Sequence, residues 1–360
     1  MNTTNPAPAP TQPPWLDQVR RFPTTRYQGS KRKLLPWLLT CLEPLPFDSA
    51  LDVFSGTAAV AYGLKALGKA VVARDLLASN RVVAEALVVN DRETLDPELA
   101  AELVTREPGR TYGTFVADTF GGVYYPDREN REIDVISGNL AAMPEGGARA
   151  VATWAFFQAL LVKRPFNLFH RRNLSLRTAD VERSFGNKRT WERPFAELLA
   201  RFAVQGSAAV FRGIRPCAAQ EGDVLAAEGP VDLVYLDPPY VPQRGAGADY
   251  LRYYHFLEGL CAPDRWPQRV DRASRNLRFG DPPSPWADRR QVRGLLQRVY
   301  DRFPGAILAL SYRSDGVPSP AVIEQDLRAV RGEVRVHDAG EYQYVLSTNR
   351  RSRELLFVAI

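Results

Sequence analysis

Between Val231 and Tyr240 the chain reads Val-Asp-Leu-Val-Tyr-Leu-Asp-Pro-Pro-Tyr. Five of the first six residues are apolar, which predicts a buried strand. Pro238 and Pro239 have no N–H to give a neighbouring strand, so the chain has to leave the sheet at Asp237. The product is a stiff loop at the carboxyl end of a strand, where open α/β sheets bind their ligands. That loop carries the Asp237 carboxylate, two proline carbonyls and the flat ring of Tyr240, a set suited to gripping a planar group that bears an amine.

Two further stretches precede it. In Arg26-Tyr-Gln-Gly-Ser-Lys-Arg-Lys-Leu-Leu35, Gly29 permits a close backbone approach and Ser30 is an N-cap for a following helix. Ala50-Leu-Asp-Val-Phe-Ser-Gly-Thr-Ala-Ala59 reads as a strand, a tight turn at Gly56 and a helix through Leu67. A second strand, Ala70 to Ala73, ends at Arg74-Asp75 and completes a βαβ unit. Gly56 has no glycine two before or three after it, which disfavours a dinucleotide phosphate loop. An acid at the end of the second strand suits ribose hydroxyls, so Asp75 is expected there.

The Asp-Pro-Pro-Tyr corner after an apolar strand resembles the catalytic motif of amino-methyltransferases acting on adenine N6 or cytosine N4. With the segments around Tyr27 and Gly56 before it, the chain from Arg26 onward resembles the Dam-like, alpha-group DNA N6-adenine methyltransferases, in the order cofactor motifs, recognition segment, catalytic motif. The resemblance implies S-adenosylmethionine as cofactor, Tyr27 packing on it and Lys31 meeting its carboxylate. It places Asp52, Phe54, Gly56 and Asp75 at the same molecule, with Asp223, Val224 and Asp237. It implies catalysis by Asp237, Pro238, Pro239 and Tyr240. The family's aromatic-Gly-Gly-Lys pattern departs here to Tyr-Gln-Gly-Ser-Lys.

The chemistry accounts for the composition of the corner. An exocyclic adenine amine is a poor nucleophile, because its lone pair is delocalised into the ring. Hydrogen bonds to Asp237 and the Pro238 carbonyl favour a pyramidal nitrogen and stabilise the positive charge that builds on methylation. The target atom is unreachable inside a duplex, so the base must swing out, and Tyr240 offers it a ring to stack on.

The expected fold class is α/β: a Rossmann-like methyltransferase sheet with helices on both faces, plus a smaller, mostly helical DNA-recognition domain inserted before the catalytic motif. The expected bounds are 1–22 for a disordered Pro-rich tail, 23–110 and 205–360 for the catalytic domain, and 111–204 for the insertion. The tail holds five prolines in its first fourteen positions, a composition with little to bury. Helices are predicted over 79–105 (broken at Asn90-Asp91 and Asp96-Pro97), 129–140, 148–161 and 249–260, with a loop over 113–127. Later strands are predicted at 208–211, 306–312, 333–337, 342–346 and 354–360. The Ser311-Tyr312 end of one resembles a motif lining the target-base pocket.

Charge is concentrated where the resemblance places DNA reading. Lys163 to Arg193 holds nine basic residues against Asp180, Glu182 and Glu192, an excess equal to the whole chain's +6. Aromatics interrupt the run, a mixture that neutralises phosphates while offering Arg and Asn to base edges. Arg164, Asn167, Arg171, Arg172, Asn173, Arg177, Asn187, Lys188 and Arg189 are the expected contacts to double-stranded DNA. Three scattered cysteines indicate neither a disulfide framework nor a metal site, and His255 has no ligand partner nearby in sequence, so no metal is expected. No apolar run is long enough to span a membrane, and a cytoplasmic location fits. Cytosine N4 as the target, a catalytically inactive DNA-binding protein of the same fold, and a partner restriction or defence nuclease all stay open.

Overall fold

A computed structural model describes residues 12–180, 187–243, 245, 247–341 and 352–360, with residues 187 and 188 in backbone only. Its sheet contains β1 (Ser49–Asp52), β2 (Ala70–Asp75), β3 (Cys217–Glu221), β4 (Leu233–Leu236), β5 (Ile307–Arg313), β6 (Val334–Glu341) and β7 (Arg353–Ala359). The spatial order is β3-β2-β1-β4-β5-β7-β6. β7 runs antiparallel to both β5 and β6, and the other pairings are parallel.

β4 lies at the middle of the sheet, and its residues are buried on both faces. Leu233 and Tyr235 enter one apolar layer while Val234 and Leu236 enter the other, which is why the strand reads as a continuous apolar run rather than an alternation. The first layer is covered by many helices, among them Leu35–Leu42, Ala59–Ala66, Ala78–Ala84, Gly147–Val162, Phe195–Ala209 and Tyr250–Cys261. The second is covered by Val292–Arg302 and Pro320–Val330. In Phe195–Ala209 the buried positions 195, 198, 199, 202, 203, 206 and 209 follow the helical repeat. No helix among the described residues is long and apolar enough to cross a membrane.

Strand order reverses between β1 and β4: from β1 the chain builds outward to β2 and β3, from β4 to β5. At such a switch point the crossover connections part and leave a crevice at the carboxyl ends of the strands. Asp52 ends β1, Asp75 ends β2 and Asp237 follows β4 directly, so the three acids meet at that crevice.

Several expectations need correction. The tail expected over 1–22 gives way to a helix at Trp15–Arg21. Trp15, Val19 and Phe22 are buried in the main core, apolar anchors that the surrounding prolines obscured; residues 1–11 lie outside the described residues. The loop expected over 113–127 contains a short helix, Phe115–Thr119. The strand expected at 208–211 is the end of Phe195–Ala209, and the edge strand is Cys217–Glu221, whose small or polar, largely exposed residues carry no strong apolar signal. The strand expected at 342–346 falls outside the described residues. The range 111–204 has no core of its own among the described residues, since Val116, Trp154, Phe169 and Phe202 belong to the same cluster as the sheet's first layer.

The N-terminal helix tests this packing. Phe22 is 1 % exposed and meets the Tyr62 ring edge-on at 5.0 Å between centroids. Phe22→Ala is expected to cost about 3–5 kcal/mol in urea unfolding, as other buried Phe truncations do; a loss below about 1 kcal/mol would return the segment to the status of a tail.

Candidate active site

A cavity of about 950 Å³ opens at the switch point. Every residue proposed from sequence for the cofactor or for catalysis borders it: Tyr27, Lys31, Asp52, Phe54, Gly56, Asp75, Asp223, Val224, Asp237, Pro238, Pro239 and Tyr240. Five separate pieces of chain supply them, brought together by the sheet.

The tightest cluster joins the first of those pieces to the last strand. Lys31 Nζ donates to both oxygens of Asp237 at 2.6 Å and to Tyr240 Oη at 2.6 Å. Behind them stands Glu354 of β7, fully buried, with Oε1 at 3.5 Å from Lys31 Nζ. Tyr240 Oη donates to Glu354 at 2.7 Å, and Ser311 Oγ donates to it as well. The Asp237 side chain keeps only 16 % of its surface. Burial pushes its carboxyl above the usual range, against the pull of Lys31 and with the push of Glu354.

Asp75 is fixed by backbone: its oxygens accept from Gly56 N and Leu77 N, each at 2.9 Å. Gly56 sits at φ +50°, a conformation that favours glycine, and its N–H thereby faces the acid at the end of the neighbouring strand. Asp52 is 1 % exposed. Its Oδ2 accepts from Ala61 N at 3.2 Å, while Oδ1 has no hydrogen-bond partner among the described residues. Burial, then the charge of Asp237, pushes its carboxyl up to about 8. Three carboxyl groups, Asp52, Asp75 and Asp237, one of them with an orphan oxygen, thus gather at the strand ends around Lys31, a setting that favours a cation.

An aromatic wall completes the cavity. Tyr27 stacks on Tyr254 and lies parallel to Tyr250, with centroids at 4.3 and 5.6 Å, and its hydroxyl accepts from Asn80 Nδ2 at 3.0 Å. Gly29, at φ +84°, allows the Tyr250 hydroxyl to approach where a side chain would clash. Across the cavity Phe54 meets the edge of Trp286 at 4.8 Å. Ser30 caps the turn Lys31–Lys33 through Arg32 N, which aims Lys31 inward.

Glu354, Tyr250, Tyr254 and Trp286 were not singled out from the sequence. The i, i+4 spacing of Tyr250 and Tyr254 on a predicted helix was a usable signal. Nothing marked Glu354, an acid among arginines near the chain end. Ser311 and Tyr312 do not line the cavity; they are fully buried behind it, Ser311 on Glu354 and the Tyr312 ring edge-on to Tyr240 at 5.3 Å.

The expected DNA contacts separate into two groups. Arg171, Arg172 and Arg189 are exposed, and Asn167 and Asn173 are partly so. The side chains of Asn187 and Lys188 lie outside the described residues. Arg164 and Arg177 are corrections. Arg164 is 1 % exposed, and its guanidinium donates to the carbonyls of Tyr124, Leu168, Arg171 and Arg172 while lying over the Tyr124 ring. Arg177 is held by Glu129 in a two-bond fork, both at 2.8 Å. These two guanidinia fold the basic loop inward instead of facing a ligand.

The model of the D12 class N6 adenine-specific DNA methyltransferases matches residues 27–259, a span running from the Tyr27 segment through the Asp237 corner to the tyrosine helix. The Type II methyltransferase M2.HphI of Haemophilus parahaemolyticus is 28% identical over 251 residues, covering 67% of this chain and 72% of that protein.

Asp52 makes the site's electrostatics testable. The folded state holds its proton more tightly than the unfolded chain does, so the native protein binds more protons between pH about 4 and about 8 and loses stability as pH rises through that window. Asp52→Asn keeps the shape without the charge. It is expected to match the parent near pH 4 and exceed it by a few kcal/mol at pH 9 in urea unfolding, at roughly 1.4 kcal/mol for each tenfold difference in proton affinity between the folded and unfolded chains; parallel stability curves across the range would contradict the assignment.

Proposed function

The chain belongs to the D12 class of N6 adenine-specific DNA methyltransferases, and from that membership we propose how its cavity carries a methyl group to adenine N6 in DNA. The observation that carries the reading is the shared cavity: the Asp237 corner, the orphan Asp52 oxygen, Asp75 and the Tyr27 stack border one space.

S-adenosylmethionine is the donor this space suits, and when bound it supplies a methyl group made electrophilic by a sulfonium charge. Asp52, with its unpartnered Oδ1, would receive the ammonium of the amino-acid end and Lys31 its carboxylate. Tyr27 would pack on the molecule, Asp75 would take the ribose hydroxyls, and Phe54, Gly56, Asp223 and Val224 would complete its enclosure. The negative wall stabilises a positive guest at low dielectric.

Asp237 and the Pro238 carbonyl receive the two hydrogens of the adenine amine. A carboxylate has about four lone-pair sites, so Asp237 keeps acceptor capacity while bound to Lys31. The prolines hold both acceptors in place before the base arrives, so no reorganisation is needed as charge develops on the nitrogen. Because burial raises the proton affinity of Asp237, the oxygen that orients the amine is also suited to take its proton afterwards. Tyr240 is pinned at its hydroxyl by Glu354, which leaves its ring as a fixed platform for the extruded base. Glu354 acts through Lys31 and Tyr240, as a positioning residue.

Residues 111–204 carry the DNA-reading segment, with Arg171, Arg172 and Arg189 at phosphates and Asn167 and Asn173 near base edges. The relative's printed name, a Type II methyltransferase, supports a place in restriction-modification, beside a nuclease that the methylated site resists.

Asp237→Asn is the test. With labelled S-adenosylmethionine and genomic DNA from a host lacking adenine methylation, the parent is expected to yield labelled N6-methyl-2′-deoxyadenosine. The variant is expected to lose about 10²–10³ in rate, the usual effect of deleting one charge-stabilising group, while calorimetric donor binding persists. Near-parental turnover in the variant would remove Asp237 from the mechanism.

A further inference from the structure

The segment between the tyrosine helix and Val292–Arg302 lies outside the basic run from Lys163 to Arg193, yet it forms a defined arm. Val270 and Phe279 pair as an antiparallel bridge, with Asp271 N on Arg278 O at 2.8 Å and Gly280 N on Arg269 O at 2.9 Å. Trp266 and Phe279 are each 2 % exposed and belong to the main core. The turn is therefore rooted on apolar anchors, and its tip is closed by Ser274 N on Asp271 O and Leu277 N on Ser274 O.

The tip presents arginine and little else charged. Arg272 and Arg275 are exposed and Arg278 is partly so. None of their three guanidinium groups has a hydrogen-bond or ion-pair partner among the described residues. Of the neighbouring acids, Asp281 pairs with Arg269 at 3.2 Å, while Asp271 Oδ1 accepts from Ala273 N at 3.0 Å and keeps its charge. Three guanidinia against that one carboxylate leave the ordered turn with a net positive surface that an anion would neutralise.

Its position singles out the anion. Asn276 at the tip donates to Phe169 O at 3.0 Å, and the Tyr124 hydroxyl, with one proton to give, lies within hydrogen-bond reach of the carbonyls of both Phe169 and Asn276. The arm is thus tied directly to the loop that carries Arg171 and Arg172. On its other flank, Ser284 and Trp286 border the catalytic cavity. An extended polyanion that places a base in that cavity while lying on the Arg171 loop runs beside this arm.

We propose that the Val270–Phe279 turn is a second arm of the DNA interface, its Arg272, Arg275 and Arg278 gripping the phosphate backbone of the duplex that the Arg171 loop engages. This rests on the methyltransferase reading of the cavity. Phosphate contacts made by a preformed turn set register and add affinity without reading sequence.

The test is Arg272→Ala/Arg275→Ala/Arg278→Ala in the full chain, measured by fluorescence anisotropy with a random 30-base-pair DNA duplex over a range of KCl, alongside donor binding, turnover and melting. Each phosphate contact contributes roughly 0.9 to the slope of log affinity against log salt. The slope is expected to fall by about 2.7 if all three contact phosphate, and KM for DNA to rise at least about tenfold. The kcat at saturating DNA, donor affinity and melting temperature are expected to stay at parental values. An unchanged slope and KM, with the parent binding and methylating DNA normally, would overturn the arm alone. A parent that neither binds nor methylates DNA would overturn the methyltransferase reading and the arm with it. Weakened binding to an RNA duplex with DNA binding intact would also overturn the assignment.

Discussion

Lys31 and Asp237 form the contact on which the site depends. A carboxylate with 16 % of its surface left is costly to keep charged without a partner, and the ammonium that answers it comes from 206 positions earlier in the chain. The ammonium is itself buried, and it is held in turn by Glu354 from the last strand. Removing either side of such a pair leaves an uncompensated charge in a confined space. The pair therefore fixes where the Tyr27 segment, the Asp237 corner and β7 sit relative to one another.

Topology explains why the contact is possible at all. β1 and β4 are neighbours whose following connections diverge, so Asp52 and Asp237 end adjacent strands above a crevice that no crossover fills. Burial raises both acids' proton affinities, with the charge of Asp237 adding to the effect at Asp52 and that of Glu354 to the effect at Asp237. A cationic guest relieves that crowding. The tyrosine stack on the far wall supplies the flat, apolar counterpart that a nucleoside requires, so charge and shape are met by different elements of the same cavity.

Much of this was legible because backbone chemistry leaves plain marks. Two prolines after an apolar run must end a strand, a lone glycine between a strand and a helix must be a tight turn, and both marks pointed to the crevice. What escaped notice depends on partners distant in sequence. Glu354 is one acid among arginines until β7 inserts beside β5. Arg164 and Arg177 look like surface charge until four carbonyls and Glu129 surround them. Trp15 and Phe22 sit beside a proline-rich stretch whose composition hides their packing. The arginines of the Val270–Phe279 turn are diluted in sequence by aspartates that the fold commits to other donors.

The central claim is that the Asp237 carboxylate, stiffened by Pro238 and Pro239, takes hold of the amine that is methylated. A crystal structure of the protein with a methylatable duplex and a non-reactive donor analogue measures this directly. The account predicts an Asp237 oxygen within about 2.7–3.2 Å of the extruded adenine N6, with the Tyr240 ring against the base. An adenine whose N6 is held by other groups, with Asp237 contacting only Lys31, would contradict it.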